Sequence, residues 1–256
     1  MPKVEAHANG SFCWMELATT DQAAAKHFYS TLFGWTPRDL PMGPGGSYTM
    51  FQLSGEDASA AYTMSEEERK TAPPHWNLYI AVASADETAK RAVELGGVVI
   101  AGPFDVASFG RMAVIGDPTR AVFCVWEAKE GPGATVAGEP GTACRADLYT
   151  GDPARAKQFY ESLFGWKISP GDRGYRHIQN DGEFIGGILS LEPGEQAVPP
   201  NWNIYFLVKD CAASTAKATE LGAKVYEGPR VVEPVGTFSV VADPQGAVFS
   251  LFEEHA

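Results

Sequence analysis

One long segment of this chain is written twice, and no other feature constrains the fold so tightly. The run from Asp21 to Trp35 returns as Asp152 to Trp166, with Phe28-Tyr29 matching Phe159-Tyr160 and Leu32-Phe33-Gly34-Trp35 matching Leu163-Phe164-Gly165-Trp166. Pro73-Pro74-His75-Trp76-Asn77-Leu78-Tyr79 recurs as Pro199-Pro200-Asn201-Trp202-Asn203-Ile204-Tyr205, and Asp117-Pro118 recurs as Asp243-Pro244. The second copy is about five residues shorter between the Trp of the first motif and the Pro-Pro of the second, where Pro41-Met42-Gly43-Pro44-Gly45-Gly46 forms a turn-rich stretch that tolerates length changes. A repeat this long means duplicated domains, because solenoid units are much shorter. The 256 residues divide naturally into two compact domains, and 45% apolar content gives each a core without disulfide or metal staples. The expected limits are 8–128 and 142–256, joined by a Gly/Pro-rich linker at 129–141.

Each copy has the same internal order. Phe12 to Leu17 reads as a strand, and Asp21 as the N-cap of a helix whose Ala25, Phe28, Tyr29, Leu32 and Phe33 make one buried stripe ended by Gly34. Tyr48–Leu53 and Ala58–Met64 read as strands joined by a turn through Gly55-Glu56-Asp57. After Pro73-Pro74 the pattern restarts, with a strand at Trp76–Val82, a helix at Ala85–Leu95, and strands near Val98–Ala101, Met112–Ile115 and Ala121–Glu127. The class is α+β: four βαβββ modules, two per copy.

A net charge of −12 argues against nucleic acid and anionic membrane surfaces, which would repel the chain. Cys13, Cys124, Cys144 and Cys211 show neither close pairing nor metal-ligand spacing, so reduced thiols in a cytoplasmic protein are expected. No apolar run approaches the roughly 20 residues that cross a bilayer, and the residues around Glu5, His7 and Asn9 do not resemble a signal peptide.

The two helix motifs and the Asp-Pro pairs that lead the closing strands resemble the vicinal oxygen chelate superfamily, which holds glyoxalase I, extradiol dioxygenases and bleomycin-resistance proteins. The paired Pro-Pro-x-Trp-Asn-x-Tyr segments further resemble its two-domain branch of the actinobacterial 27 kDa antigen type. The resemblance implies that each pair of modules curls into an open, eight-stranded sheet around a cavity: two glyoxalase-like domains. It implies no particular reaction. In metal-using relatives, His or Glu side chains project into the cavity from the first and last strands of each module. Transferred by spacing from the helix-capping and strand-leading Asp residues, the ligand positions hold Trp14 and Arg145, Asn77 and Asn203, and Cys124 and Ser250; the remaining strand offers only Ala60-Ala61 and Gly186-Gly187. Such a set does not chelate Zn, Ni or Fe, which want three or four converging His, Cys or carboxylate donors. His7, His27, His75, His177 and His255 lie at none of these positions, with His75 and His177 read as surface or strand-edge residues. The expectation is therefore no metal and no cofactor, with one reservation for Glu16.

Alternation along a strand adds the remaining candidates. Glu16 shares a face with Trp14, and Arg145, Asp147 and Tyr149 share the corresponding one, while Cys13 and Met15 are expected to face away. Tyr79 follows Asn77 inward, Tyr205 follows Asn203, Trp126 follows Cys124, and Phe252 follows Ser250. Two readings stay open. The carboxyls of Glu16 and Asp147 are satisfied structurally by amide, phenol or Arg145, or they act as general acid or base with Tyr79 or Tyr205 polarising a ligand oxygen. Cys124 has no histidine beside it in sequence and reads as an inert thiol. Gly43 to Gly46 lacks the Lys-Ser/Thr of a phosphate loop, and Arg111, on a loop that could rim the cavity, reads as solvated. The expected partner is a small aromatic or conjugated organic molecule, bound by a monomer or homodimer. The expected chemistry is metal-independent: hydroxylation support, isomerisation or lyase-type proton transfer. The alternative is a non-catalytic protein that sequesters an antibiotic or metabolite, or one copy that binds while the other scaffolds.

Overall fold

The structure is a computed structural model that describes residues 3–42, 46–191 and 199–255. The first copy runs β1 (Phe12–Thr19), α1 (Gln22–Phe33), β2 (Thr36–Met42), β3 (Gly46–Leu53), β4 (Glu56–Thr63), α2 (Glu66–Thr71), β5 (His75–Ala81), α3 (Ala85–Glu94), β6 (Val98–Val106), β7 (Gly110–Gly116) and β8 (Val122–Ala128). The second runs β9 (Ala143–Thr150), α4 (Pro153–Phe164), β10 (Lys167–Pro170), β11 (Arg176–Asn180), β12 (Glu183–Ser190), β13 (Asn201–Leu207), α5 (Cys211–Glu220), β14 (Lys224–Val232), β15 (Gly236–Ala242) and β16 (Val248–Glu254). Each copy forms one open eight-stranded sheet, ordered β2-β3-β4-β1-β5-β8-β7-β6 and β10-β11-β12-β9-β13-β16-β15-β14. The first strand of every module lies at the sheet centre: β1 and β5 pair antiparallel, each flanked on its other side by a parallel strand, β4 or β8.

The repeated helices are fixed locally as their sequence predicts. Asp21 accepts from the backbone N–H of Ala24 at 2.9 Å, Asp152 accepts from that of Arg155 at 3.0 Å, and Gly34 and Gly165 end the helices at φ +75° and +74°. Phe28, Tyr29, Phe159 and Tyr160 then bury their rings in one core that spans both sheets. The two copies grip each other reciprocally. Tyr29 donates to Asp243 Oδ2 and Tyr160 to Asp117 Oδ2, both at 2.9 Å, while the indoles of Trp76 and Trp202 donate to those phenol oxygens at 3.2 and 3.1 Å. Trp35 donates to the carbonyl of Gly141, and Trp166 to that of Gly10. The Asp-Pro aspartates thus close their own turns with Oδ1 and receive the other copy's tyrosine with Oδ2.

Three details differ from the sequence reading. Thr36–Met42, which carries Pro37 and Pro41, is a strand; it lies at the sheet edge, where a missing N–H is tolerated. The short helix Glu66–Thr71 forms on a capping box between Ser65 and Glu68. The segment read as a linker lies against the first sheet: Ala134 N–H donates to Cys13 O and Thr135 N–H to Asp57 O, both at 2.8 Å, and Val136 is buried. Gly133 has φ +107° and so little room that a Cβ would strike the Cys13 carbonyl, so the glycine is what allows this approach. The turn residues Gly43 to Gly45 lie outside the described residues.

Candidate functional site

The helices cover one face of each sheet, and the opposite, concave face carries the candidate residues. In the first sheet, register brings two rows together. Met50, Ala60, Glu16 and Asn77 face each other across β3, β4, β1 and β5, and Trp14, Tyr79, Cys124 and Val114 do so across β1, β5, β8 and β7. Trp14, Tyr79, Cys124, Met112 and Trp126 pack as one apolar cluster around the carboxyl of Glu16. Alternation fails at Cys13. A bulge between Phe12 and Trp14 brings its thiol into this cluster, donating to Tyr79 O at 3.5 Å, so Cys13 does not face away as expected.

Glu16 is 9% exposed. Tyr48 donates to its Oε1 at 2.6 Å and Tyr79 to its Oε2 at 2.9 Å, while Trp14 Nε1 donates to the Tyr48 oxygen at 3.2 Å. Burial pushes the Glu16 carboxyl above the usual carboxylate range, and the two phenol hydrogen bonds only partly oppose it. Burial and the neighbouring Glu16 charge hold Tyr48 and Tyr79 well above the ordinary phenol value, so both stay protonated. Tyr79 also lies 3.9 Å from Met112 Sδ, an alternative acceptor for its proton when Glu16 keeps its own. Burial, then the Glu16 charge, raises the Cys124 thiol far from reactivity.

The second concave face repeats this plan with different chemistry. His177, Gly187, Asp147 and Asn203 form one row, and Arg145, Tyr205, Ser250 and Val240 the other. Tyr175 donates to Asp147 Oδ1 at 2.8 Å, lying over Gly187 where a Cβ would collide with its ring. Burial raises the Asp147 carboxyl, against the charge of Arg145 and the Tyr175 hydrogen bond. Asn203 Nδ2 donates to Ser250 Oγ at 2.6 Å. The Arg145 guanidinium stacks 3.8 Å from the Phe252 ring centre and 4.7 Å from that of Tyr205. His177 packs edge-on against Tyr175 at 5.0 Å and shares the Asp147 row, nearer the site than its reading as a surface residue. Arg111 is tied to Asp86 at 2.6 and 3.0 Å and to Asp105 at 3.2 Å.

The structure thus brings together Trp14, Glu16, Asn77, Tyr79, Cys124 and Trp126 on one face, and Arg145, Asp147, Asn203, Tyr205 and Ser250 on the other. Sequence reasoning missed Tyr48 and Tyr175, the phenols that reach each carboxyl from β3 and from the residue just before β11. They are equivalent across the repeat, so alignment of the two copies held the signal. A hollow of about 190 Å³ lined by Pro118, Arg120, Asp152 and Arg155 lies off these faces, and a small one of about 50 Å³ beside His7 and Val136 reaches Cys13 and Trp14 at the edge of the first. The concave face of the first sheet is filled by its own side chains.

A model of the glyoxalase/bleomycin resistance protein/dioxygenase superfamily matches residues 11–125, and one of a glyoxalase-like domain matches residues 145–252. The chain belongs to this superfamily. It is 40% identical to "Putative glyoxylase CFP32" of Mycobacterium tuberculosis, over 99% of this chain and 98% of that protein. It is 34% identical to the anthracycline biosynthesis protein DnrV of Streptomyces peucetius, over 96% and 94% respectively. In fold it is similar to the Mn(II)-bound glyoxalase of Novosphingobium aromaticivorans, with a TM-score of 0.68 at 18% identity, covering 97% of this chain and 83% of that one. An extradiol ring-cleaving dioxygenase from B. fuscum gives a TM-score of 0.69 at 14% identity, covering 100% and 75%.

The divalent ion that this fold implies does not suit the side chains present. An indole, an amide and a high-pKa thiol hold the ligand positions of the first face, and both oxygens of its carboxyl already accept from phenols. The second face brings a guanidinium, itself a cation, to one position and pairs its amide with Ser250.

Proposed function

We propose that the protein binds a small, planar aromatic or conjugated molecule at a concave face and assists metal-independent proton transfer on it. The reading rests on one observation: both faces hold a buried carboxyl, Glu16 or Asp147, that favours its proton and is gripped by phenols among aromatic walls. Such a carboxyl holds its proton more strongly than an exposed one and can pass it to, or recover it from, a bound ligand. Tyr79 and Tyr205 then donate to a ligand carbonyl or phenol oxygen, while Asn77 and Asn203, Trp14, Trp126, Cys124, Arg145 and Ser250 shape the seat. Isomerisation, lyase-type elimination and support of a hydroxylation all draw on that step. The relatives named as anthracycline biosynthesis proteins support a polycyclic aromatic ligand. Sequestration without chemistry is a second reading, favoured by Glu16 having both oxygens already engaged. In either case the partner is a small molecule rather than nucleic acid or membrane, and the protein works in the cytoplasm as a monomer or homodimer. The free thiols and the absence of a helix long and apolar enough to cross a membrane among the described residues are in keeping with this.

Equilibrium dialysis with the anthracycline daunorubicin tests binding, and mass spectrometry of that ligand after incubation in deuterated water tests proton transfer at carbon beside its ketone. Saturable binding with deuterium uptake, lost in Glu16→Gln or Asp147→Asn while affinity persists, is expected. Binding without uptake assigns sequestration; failure of this and of smaller planar aromatic probes to bind removes both readings.

A further inference from the structure

The two faces differ in what they leave unpaired. On the first, Trp14 Nε1, both Glu16 oxygens and both phenols have partners, so the polar atoms close on themselves. On the second, two buried polar atoms have none: Arg145 Nε and Asn203 Oδ1. Buried polar groups are seldom left without a partner, and two on one face point to something that would pair them. They occupy the diagonal of a strand pair in which Arg145 faces Tyr205 and Asp147 faces Asn203. Arg145 has no carboxylate within ion-pair distance among the described residues, although Asp147 lies two positions along its own strand. Burial raises the proton affinity of that acid, and the Arg145 charge opposes it without the two groups forming a direct ion pair. Arg145 is only partly buried, and its guanidinium carbon lies 3.8 Å from the Phe252 ring centre and 4.7 Å from that of Tyr205, two rings set at 85° to each other, so the group is seated between them before anything binds.

We propose that the second concave face is the ligand seat, and that it takes a planar aromatic molecule bearing an ionised oxygen (a carboxylate or phenolate) beside a hydroxyl. The ionised oxygen accepts from the Arg145 guanidinium, the ring spans from there towards Asn203, and the hydroxyl donates to Asn203 Oδ1. A guanidinium then supplies fixed positive charge where the fold's relatives place a metal ligand. The first face, by the same argument, is scaffold. This rests on the proposed ligand-binding function and adds its location and the charge of the ligand.

The probe is 3-hydroxy-2-naphthoate, compared with its uncharged carboxamide, by calorimetry or equilibrium dialysis on the full chain. The acid is expected to bind at least about ten-fold more tightly than the amide, since charge-assisted hydrogen bonds exceed neutral ones by that order. Arg145→Met, which keeps the apolar stem, is expected to remove this preference, bringing acid and amide to similar affinities. Asn203→Leu is expected to weaken the hydroxy acid but not 2-naphthoate, which lacks the hydroxyl. Equal binding of acid and amide by the wild-type protein overturns the proposal without any variant, as does failure of the acid to bind at millimolar concentration. If acid binding survives Arg145→Met but is lost in Trp14→Ala, the seat is the first face, and the general binding function stands while this inference falls. If daunorubicin and all three naphthalene probes fail to bind, the binding function itself falls.

Discussion

On the helix-covered side the two copies are interchangeable; on the concave side they are not. Tyr29 with Asp243 and Tyr160 with Asp117 repeat to within 0.1 Å, as do the indole bonds of Trp35 and Trp166 to backbone carbonyls. Across the sheets, Trp14 stands opposite Arg145 in the repeat, Cys124 opposite Ser250, Met112 opposite Phe238 and Ala60 opposite Gly187. The carboxyl and its phenols are common to both. A duplicated chain must keep the side on which its halves interlock, because each change there is felt in both domains. The concave faces touch no such partner and are free to diverge. Symmetry therefore marks structure here, and asymmetry marks where function could have entered.

The largest effect follows from the symmetric side. Trp35→Ala and Trp166→Ala each remove a buried indole, 2% exposed, from the shared core and should each cost about 3–5 kcal/mol. The comparison requires the two costs to agree within about 1 kcal/mol in urea unfolding, with a single cooperative transition for the whole chain. Two separated transitions would show that the halves are not energetically fused, and the contrast between the two sides would lose its basis.

The fold was legible because its determinants are local and repeated: Asp caps, apolar stripes and left-handed glycines stand at matching positions in both copies. The register of the site was legible wherever alternation held, from Trp14 onward and along Asn77-Leu78-Tyr79. It failed at Cys13, where a bulge inserts a residue without any local signature in composition. Tyr48 and Tyr175 were missed because they lie on β3 and just before β11, outside the ligand-bearing strands, and only pairing across β4 or β12 brings them over the carboxyls. The strand at Thr36–Met42 was hidden by two prolines that an edge position makes harmless.

An intermediate effect is expected at the position where Ala60 and Gly187 diverge. Gly187→Ala places a methyl in the ring of Tyr175, so the phenol must leave Asp147 or the strand must shift, at a cost of about 1–3 kcal/mol. The reciprocal Ala60→Gly is expected to cost no more than about 1 kcal/mol. Near-ultraviolet circular dichroism follows the displaced tyrosine alongside denaturant unfolding. Equal costs for the two changes would mean that the second face is as closed as the first.

The smallest effect concerns the two acids and lies in its pH dependence. Burial gives Glu16 and Asp147 a greater proton affinity in the folded chain than unfolded. Folding then takes up protons, so their contribution to stability is complete below the unfolded carboxyl value of about 4 and declines as pH rises through the folded value. Glu16→Gln preserves shape and keeps one phenol hydrogen bond to the amide oxygen, while its NH2 donates to the other phenol, whose O–H can turn to Met112 Sδ, and at neutral pH should shift stability by about 1 kcal/mol. The wild-type protein gains on this variant as pH is lowered and loses ground as it is raised. For Asp147→Asn the sign is the same, but Arg145 opposes the upward shift on that face alone. Adding Arg145→Met should therefore steepen the pH dependence owed to Asp147 and leave that owed to Glu16 untouched. Denaturant midpoints measured across the acid-to-neutral range for these variants separate the two faces, and a slope at Glu16 that follows Arg145→Met would show that the faces are coupled.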